Sequence, residues 1–326
     1  MAPHDIDQQL IKYLTDVHSI EQQALAQLKS APEIAGDATL SAAFSEHLRE
    51  TEEHERLIAE QLQAHDAKPA PIKDLAGTVT GKGFVLFARS QPDTPGKLTA
   101  HAFSYEHMEQ AAYELLIGVA RRAGDDAVVE VARQICAQER AMGERLESLF
   151  DRAVEESLKE LDRDSLGEQL DKYLTDAHAL EGQALQLLEK GPKLAGVPSL
   201  ATAYEEHRAE TEVHQRLIAE RLNERGAAPN KIKDAAMRLG ALNWGAFFQA
   251  QPDTPAKLVA FAYAFEYLEI AAYELLRRVA QRLGDDQTLA IAGRILSEER
   301  AAAERLHSLF ENALDASLAE QGVAAR

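Results

Sequence analysis

The chain is poor in cysteine and in basic residues, and both shortages narrow the chemistry open to it. Cys136 is the single cysteine in 326 residues, which excludes an intramolecular disulfide and a multi-cysteine zinc site. Any metal must therefore be held by oxygen and nitrogen. Lysine and arginine number 35 against 54 aspartates and glutamates, for a formal net charge of −19. Because this charge repels phosphate backbones and anionic lipids, we expect neither a nucleic-acid partner nor a membrane partner.

Long apolar runs and strand-like alternation are also scarce. No segment approaches the roughly 18 uncharged apolar residues that would cross a membrane. The first residues, Met-Ala-Pro-His-Asp-Ile-Asp, contain neither a basic nor an apolar segment, so we expect no signal peptide and a cytoplasmic protein. Apolar residues recur instead at helical spacing, which predicts an all-α protein.

The sequence contains one unit twice. Residues 8–158 return at 168–318 with a constant displacement of 160 positions and no gap. Tyr-Leu-Thr-Asp-Val-His-Ser-Ile-Glu, which starts at Tyr13, returns as Tyr-Leu-Thr-Asp-Ala-His-Ala-Leu-Glu from Tyr173. A period of this length indicates a duplicated domain, since solenoid repeats run at roughly 20 to 50 residues. The expected domains are residues 1–160 and 161–326.

Four long helices are predicted in each unit. Thr39 and Asp125 are suitable N-caps, and Gly124 follows the third helix. The links between helices one and two and between helices three and four are short, so each pair should be antiparallel. In the first unit the predicted helices are 7–29, 40–63, 97–122 and 126–158.

The link between helices two and three is long. Such a connection suits a four-helix bundle with one crossover, the arrangement of ferritin-like folds. It contains an apolar piece, Gly-Phe-Val-Leu-Phe-Ala at 83–88, which we interpret as crossover packing or an interface between the halves rather than as a cofactor site. We also expect the halves to pack as a pseudo-twofold dimer, and further homo-oligomerisation is left open.

Acidic residues interrupt the apolar stripe of every helix. Helix one places Glu21 at a stripe position, and helix two places Glu50 and His54 one turn apart on one face. An unpaired buried carboxylate costs several kcal/mol, and no lysine or arginine occupies a matching stripe position. A bound cation would compensate for the charge. The candidate metal ligands are Glu21, Glu50, His54, Glu106, Glu109 and Glu139, which recur as Glu181, Glu210, His214, Glu266, Glu269 and Glu299.

Two further histidine positions also occur in both units. Each lies about one turn from a candidate ligand, so we interpret them as hydrogen-bonding neighbours or core histidines and leave direct ligation open. They are His18 with His178, and His47 with His207. Tyr113 and Tyr273, one turn beyond a candidate ligand, are interpreted as core residues rather than as electron relays.

Four motifs in each unit carry a resemblance to a known family. In the first unit they are Leu-Thr-Asp-x-His-x-x-Glu in helix one, Glu-His-x-x-Glu-Thr-Glu in helix two, Tyr-Glu-x-x-Glu-x-Ala-x-Tyr in helix three and Glu-Arg-Ala in helix four. With these motifs each unit resembles, over essentially its whole length, the YciE/YciF family of ferritin-like stress proteins. The resemblance implies a ferritin-like bundle with a dinuclear carboxylate site and a ferroxidase role.

The candidate ligands depart in two ways from the general ferritin-like pattern, which has Glu-x-x-His on two helices. Glu50 and His54 are four residues apart, and Met142, or Ala302 in the second unit, stands where a second histidine would fall. The sequence therefore predicts a site rich in carboxylate and poor in imidazole, which weakens the analogy to a two-histidine manganese catalase.

Carboxylate and imidazole ligands suit iron(II) and manganese(II). We expect one dinuclear iron site per domain, with manganese as the alternative metal, that oxidises iron(II) or consumes dioxygen or peroxide in a stress response. Two other functions stay open at this point. One is a non-catalytic stress or interaction protein with a structural or vestigial metal site, and the other is a di-iron oxygenase acting on an organic substrate. No catalytic residue is assigned.

Overall fold

The computed structural model describes residues 6–68, 94–230 and 253–323, and these residues form helices and no strand. The chain divides into two compact units, one of Met1–Lys159 with Gly322–Arg326 and the other of Glu160–Gln321. The predicted all-α class is confirmed. None of the described helices is both long enough and apolar enough to span a membrane.

The described residues of the first unit form a bundle of four long helices with one additional short helix. α1 contacts α3 and α4, and α5 contacts the same two helices, which closes the bundle. The bounds are Ile6–Leu28 for α1, Ala31–Ile34 for α2, Ala38–Ala64 for α3, Thr94–Ala123 for α4 and Asp126–Leu158 for α5.

Apolar stripes from all four long helices form the core of this bundle. Leu14, Leu40, Leu116 and Leu146 are each 0% exposed, one from each long helix. Burying one such side chain contributes about 2 kcal/mol. This apolar burial has to offset the cost of the carboxylates that lie in the middle of the same core.

Local capping sets where the helices turn. Gly124 has a φ of 75°, which ends α4, and the Asp125 carboxylate accepts a hydrogen bond from the Val128 backbone N–H at 3.0 Å, which starts α5. The predicted cap at Thr39 is wrong. Asp37 caps α3 by accepting from the backbone N–H groups of Thr39 and Leu40, because a carboxylate at this earlier position is the stronger cap.

The second unit repeats the bundle with two changes of helix continuity. Its first helix runs unbroken through Pro192, where the first unit has α1 and α2. Its fourth helix is interrupted after His307, where α5 is continuous. The bounds are Arg163–Leu194 for α6, Pro198–Glu224 for α7, Thr254–Leu283 for α8, Asp286–His307 for α9 and Phe310–Glu320 for α10.

Contacts within the second unit match those of the first. α6 contacts α7 and α8, and α9 contacts the same two helices. Most of the two predicted crossovers, including the apolar piece at 83–88, lies outside the described residues.

Candidate metal centre

Six acidic and histidine side chains meet in the middle of the first bundle, each 2% exposed or less. They form two groups whose donor atoms lie within 4.8 Å of one another, and Glu139 of α5 belongs to both. The first group is His47, Glu106, Glu109 and Glu139, and the second is Glu21, His54 and Glu139.

Glu139 faces the two groups with different oxygens. Its Oε1 lies 2.7 Å from Nδ1 of His54, and its Oε2 lies 3.6 Å from Nε2 of His47. A carboxylate in this position can bind one cation with each oxygen. The geometry is that of a bridge between two neighbouring cation sites.

The inward atoms of the site lie close together without forming hydrogen bonds. Nε2 of His47 is 3.1 Å from Oε2 of Glu106, and Nδ1 of His54 is 3.9 Å from Oε2 of Glu21. These four atoms, and both oxygens of Glu139, are buried with no hydrogen-bond partner. Orphaned buried polar atoms are rare in folded proteins because each costs about 1 to 3 kcal/mol. Buried donor atoms that converge on a shared space without forming hydrogen bonds fit a bound cation, which would bind them all.

Glu109 contributes the most isolated carboxylate of the site. It is fully buried, and neither of its oxygens has a hydrogen-bond partner. Its donor atom lies within 4.8 Å of those of His47, Glu106 and Glu139. Such a group fits a role as a ligand, since nothing else compensates its charge among the described residues.

Outward neighbours orient several of the inward groups. The Tyr113 hydroxyl donates to Oε1 of Glu21, which leaves Oε2 facing the site. His47 uses its outward Nδ1 for Glu50, at 3.3 Å, and His54 uses its outward Nε2 for Gln138, at 3.1 Å. Because one ring nitrogen is occupied outside, the other is aimed at the site.

The second bundle repeats this arrangement with the equivalent residues. Glu299 places Oε1 at 2.9 Å from Nδ1 of His214 and Oε2 at 3.4 Å from Nε2 of His207. Tyr273 donates to Oε1 of Glu181, as Tyr113 does to Glu21. The two groups are His207, Glu266, Glu269 and Glu299, and Glu181, His214 and Glu299.

Burial raises the pKa values of three carboxyl groups of the site, which favours their protonated forms when no cation is bound. Burial, with the charge of Glu139, raises the pKa of Glu21 to about 8. Burial raises the pKa of Glu139 itself to about 7, although His54 and His47 act in the opposite direction. Burial, then the charge of Glu139, places the pKa of Glu109 well above its usual range. The site therefore takes up a positive charge of some kind, as protons or as metal.

The same carboxylates act on the two imidazoles. Burial alone would lower the pKa of His47, but the charge of Glu106, the hydrogen bond with Glu50 and the charge of Glu139 outweigh burial and raise the pKa well above its usual value. For His54 burial again lowers the pKa, and Glu139 reverses the direction. The negative charge of the neighbouring carboxylates therefore outweighs the effect of burial on both rings.

The structure brings most predicted ligands together but leaves out Glu50 and Glu210. Their side chains are 36% and 33% exposed, at the rim of the bundle, where each contacts Nδ1 of a histidine. The prediction that Glu50 occupies an inward stripe position is wrong. His47 and His207, which were interpreted as neighbours of ligands, lie inside the groups instead.

The spacing of residues along α3 favours His47 over Glu50 as an inward residue. At 3.6 residues per turn, His47 and His54 lie about 20° apart around α3, whereas Glu50 lies about 40° from His54 and about 60° from His47. The two histidines share one narrow stripe and Glu50 lies at its edge. The site consequently has two imidazoles, both from one helix, and is less poor in imidazole than the sequence predicts.

His18 and Tyr113 have clear positions outside the two groups. Nε2 of His18 lies 3.0 Å from Oε1 of Glu55, and neither His18 nor its counterpart His178 belongs to a group. Tyr113 is fully buried, as expected for a core residue, and it also holds Glu21.

One family model matches both halves of the chain. It is described as a domain of unknown function, DUF892, and it matches residues 5–159 and again residues 165–319. No solved structure matches the chain. Because the two matches cover nearly all of the sequence, the chain belongs to the DUF892 family and contains two tandem copies of its domain.

Proposed function

We propose that each unit holds a dinuclear iron centre and that the protein uses it to oxidise iron(II) or to consume dioxygen or peroxide under stress. One observation carries the proposal. In both bundles, the inward atoms of buried carboxylates and imidazoles converge on two adjoining spaces and form no hydrogen bonds. The resemblance of both units to ferritin-like stress proteins supports the redox and stress parts of the proposal.

The ligand sets follow from the two groups. His47, Glu106 and Glu109 would hold one ion, Glu21 and His54 would hold the other, and Glu139 would bridge them. Four carboxylates carry the charge that balances two divalent ions, so a filled centre is close to neutral. Oxygen donors with imidazole suit iron and manganese, and the protons held on the raised carboxyl groups would be released on binding.

A bound pair of iron ions supplies the electrons that dioxygen or peroxide takes up. The protein orients the ligand atoms and excludes water from the site. Tyr113 holds Oε1 of Glu21, so that only Oε2 faces the site. The 0% exposure of Glu21, Glu109 and Glu139 keeps bulk water from these carboxylates, which strengthens their interaction with a cation.

Aerobic addition of iron(II) to metal-free protein tests the function. We expect oxidised iron absorbance to develop faster than iron(II) autoxidises in buffer. The matched control is the double variant Glu139→Gln and Glu299→Gln, which removes the bridging charge from both bundles at nearly constant side-chain volume. It should remain helical by circular dichroism and oxidise iron(II) no faster than buffer.

A second arm adds hydrogen peroxide without oxygen to the iron(II)-loaded protein and follows its consumption. The unaltered protein could bind iron in both bundles and still react with dioxygen and with peroxide no faster than iron(II) in buffer does. In that case the redox function is wrong, and a structural metal site explains the residues. If no metal binds in either bundle, the metal assignment itself is wrong.

A further inference from the structure

The two centres differ in the residue behind one histidine. In the first unit, Nε2 of His54 lies 3.1 Å from Oε1 of Gln138. In the second unit, Nε2 of His214 lies 2.6 Å from Oε2 of Glu298. A neutral amide and a carboxylate therefore occupy the same place, at positions displaced by 160 residues.

The Glu298 carboxylate is held in place by a second contact. Its Oε1 accepts a hydrogen bond from Nε of Arg294 at 3.0 Å, while its Oε2 faces His214. The first unit has Gln134 at the position of Arg294. A carboxylate fixed between an arginine and an imidazole is held ready to accept the proton of the ring nitrogen.

The contact fixes the roles of the two ring nitrogens of His214. Its Nδ1 is the inward atom, 2.9 Å from Oε1 of the bridging Glu299. A metal bound at Nδ1 would leave the proton on Nε2, and the Nε2–H group would donate a hydrogen bond to Glu298. A carboxylate attracts this proton more strongly than an amide oxygen does, so Nδ1 becomes the more basic donor. The more basic donor also favours the more highly charged state of a nearby ion.

We propose that Glu298 makes the two centres unequal, so that the second centre binds metal more tightly and, with iron, has the lower iron(III)/iron(II) reduction potential. This inference rests on the proposed dinuclear centres. Glu298 acts as a positioning residue through His214 and does not itself belong to either ligand group. The second centre should fill first and remain oxidised under conditions that reduce the first.

A reciprocal exchange tests the inference. Glu298→Gln gives the second centre the amide of the first, and Gln138→Glu gives the first centre the carboxylate of the second. Each centre is measured alone by placing the change in full-length protein whose other bridge is removed, Glu139→Gln or Glu299→Gln. The readouts are manganese(II) affinity by calorimetry and the iron reduction potential by redox titration followed with electron paramagnetic resonance.

We expect Glu298→Gln to weaken manganese(II) binding at the second centre about tenfold, the lower end of the effect of changing a residue behind a ligand. A tenfold change in the preference for iron(III) over iron(II) raises the potential by about 59 mV. Gln138→Glu should change both quantities at the first centre in the opposite direction. A variant that merely damages the fold is not expected to bind manganese(II) more tightly, as Gln138→Glu should.

Glu304→Gln is the matched control, because it removes the same formal charge from an exposed position on α9. It should change neither quantity. The inference is overturned if the two centres of the unaltered protein have equal affinity and potential, or if Glu298→Gln has no larger effect than the control. Failure of both bundles to bind metal would overturn the proposed function as well, whereas equal binding in both bundles overturns only the inequality.

Discussion

The two candidate metal centres share every inward candidate ligand and differ in the side chains around them. Each centre has four glutamates and two histidines at positions displaced by 160 residues. Outside this set, Gln138 is replaced by Glu298, and a second exchange affects the aromatic residues. Each inward residue faces the others, so replacing one would upset the charge balance of the whole group. A residue one contact further out can be replaced without leaving a buried charge unpaired.

The aromatic exchange moves a phenol from one helix to another. The first unit has Phe44 and Tyr105 where the second has Tyr204 and Phe265. Tyr105 donates to the carbonyl of Ile20 at 3.1 Å. The Tyr204 hydroxyl is buried and has no hydrogen-bond partner among the described residues.

A glycine makes room for the Tyr204 ring. A Cβ added to Gly191 would lie 2.8 Å from a ring carbon of Tyr204, whereas the first unit has Ala31 at this position beside Phe44. The phenol near Glu266 in the second centre therefore comes from α7, whereas Tyr105 of α4 is the phenol near Glu106 in the first. Burial, then the charge of Glu266, holds the pKa of Tyr204 well above its usual value, so the phenol stays protonated.

The largest expected effect comes from removing one bridge at a time. Glu139→Gln should eliminate metal from the first centre and leave the second filled, because Glu139 serves both groups of its own bundle only. The metal content of the chain, measured by elemental analysis, should fall by half. Glu299→Gln should have the same effect in the other half, and loss of all metal from either single variant would contradict two independent centres.

Two variants of the first centre test whether His47, rather than Glu50, is a ligand. Both are made in protein that carries Glu299→Gln, so that only the first centre can bind metal. His47→Ala removes a candidate inward ligand and should weaken metal binding by well over 100-fold, since even residues behind a ligand affect affinity by 10- to 100-fold. Glu50→Gln removes only the partner of the outward nitrogen and should weaken it about tenfold. Calorimetric titration with manganese(II) measures both, and a larger effect of Glu50→Gln would restore Glu50 as the ligand.

The stability of metal-free protein should fall as pH rises. In the folded state the pKa of Glu21 is raised to about 8 and that of Glu139 to about 7, and Glu181 and Glu299 are also raised by burial. The folded state then binds more protons than the unfolded state above the ordinary glutamate pKa. The resulting stabilisation is complete below about pH 4.5 and is lost as pH rises through 7 to 8.

Thermal unfolding from pH 5 to pH 8.5 measures this loss in both centres. Saturating metal should remove most of the dependence, because a cation replaces the protons. Metal-free Glu139→Gln with Glu299→Gln should show a weaker dependence than the unaltered protein. A melting temperature that rises over this range in metal-free protein would contradict the burial of uncompensated carboxylates.

The smallest expected effect distinguishes the two phenols. Tyr105→Phe removes a hydrogen bond to Ile20 and should lower the free energy of unfolding by about 1 kcal/mol. Tyr204→Phe removes a buried hydroxyl that has no partner, so stability should be unchanged or slightly higher. Chemical denaturation of the metal-free protein measures both, and equal destabilisation by the two changes would show that Tyr204 has a partner.

Local pattern was enough to predict the duplication, the helices and most of the acidic residues of the candidate site. Helical periodicity is a property of neighbouring residues, so the apolar stripes and the glutamates within them can be read without knowledge of packing. Glu21, Glu106, Glu109 and Glu139 were identified in this way, and all lie in the site. Their recurrence in the second unit follows from the same repeat.

Packing between helices decided which residues at the edge of a stripe face inward. The rotation of α3 against its neighbours places His47 in the site and Glu50 at the rim, and this rotation depends on side chains of other helices. Contacts between residues that are distant in sequence could not be predicted from local pattern either. Tyr113 reaches Glu21 across 92 positions, and Glu298 reaches His214 across 84, because only the closed bundle brings these side chains together.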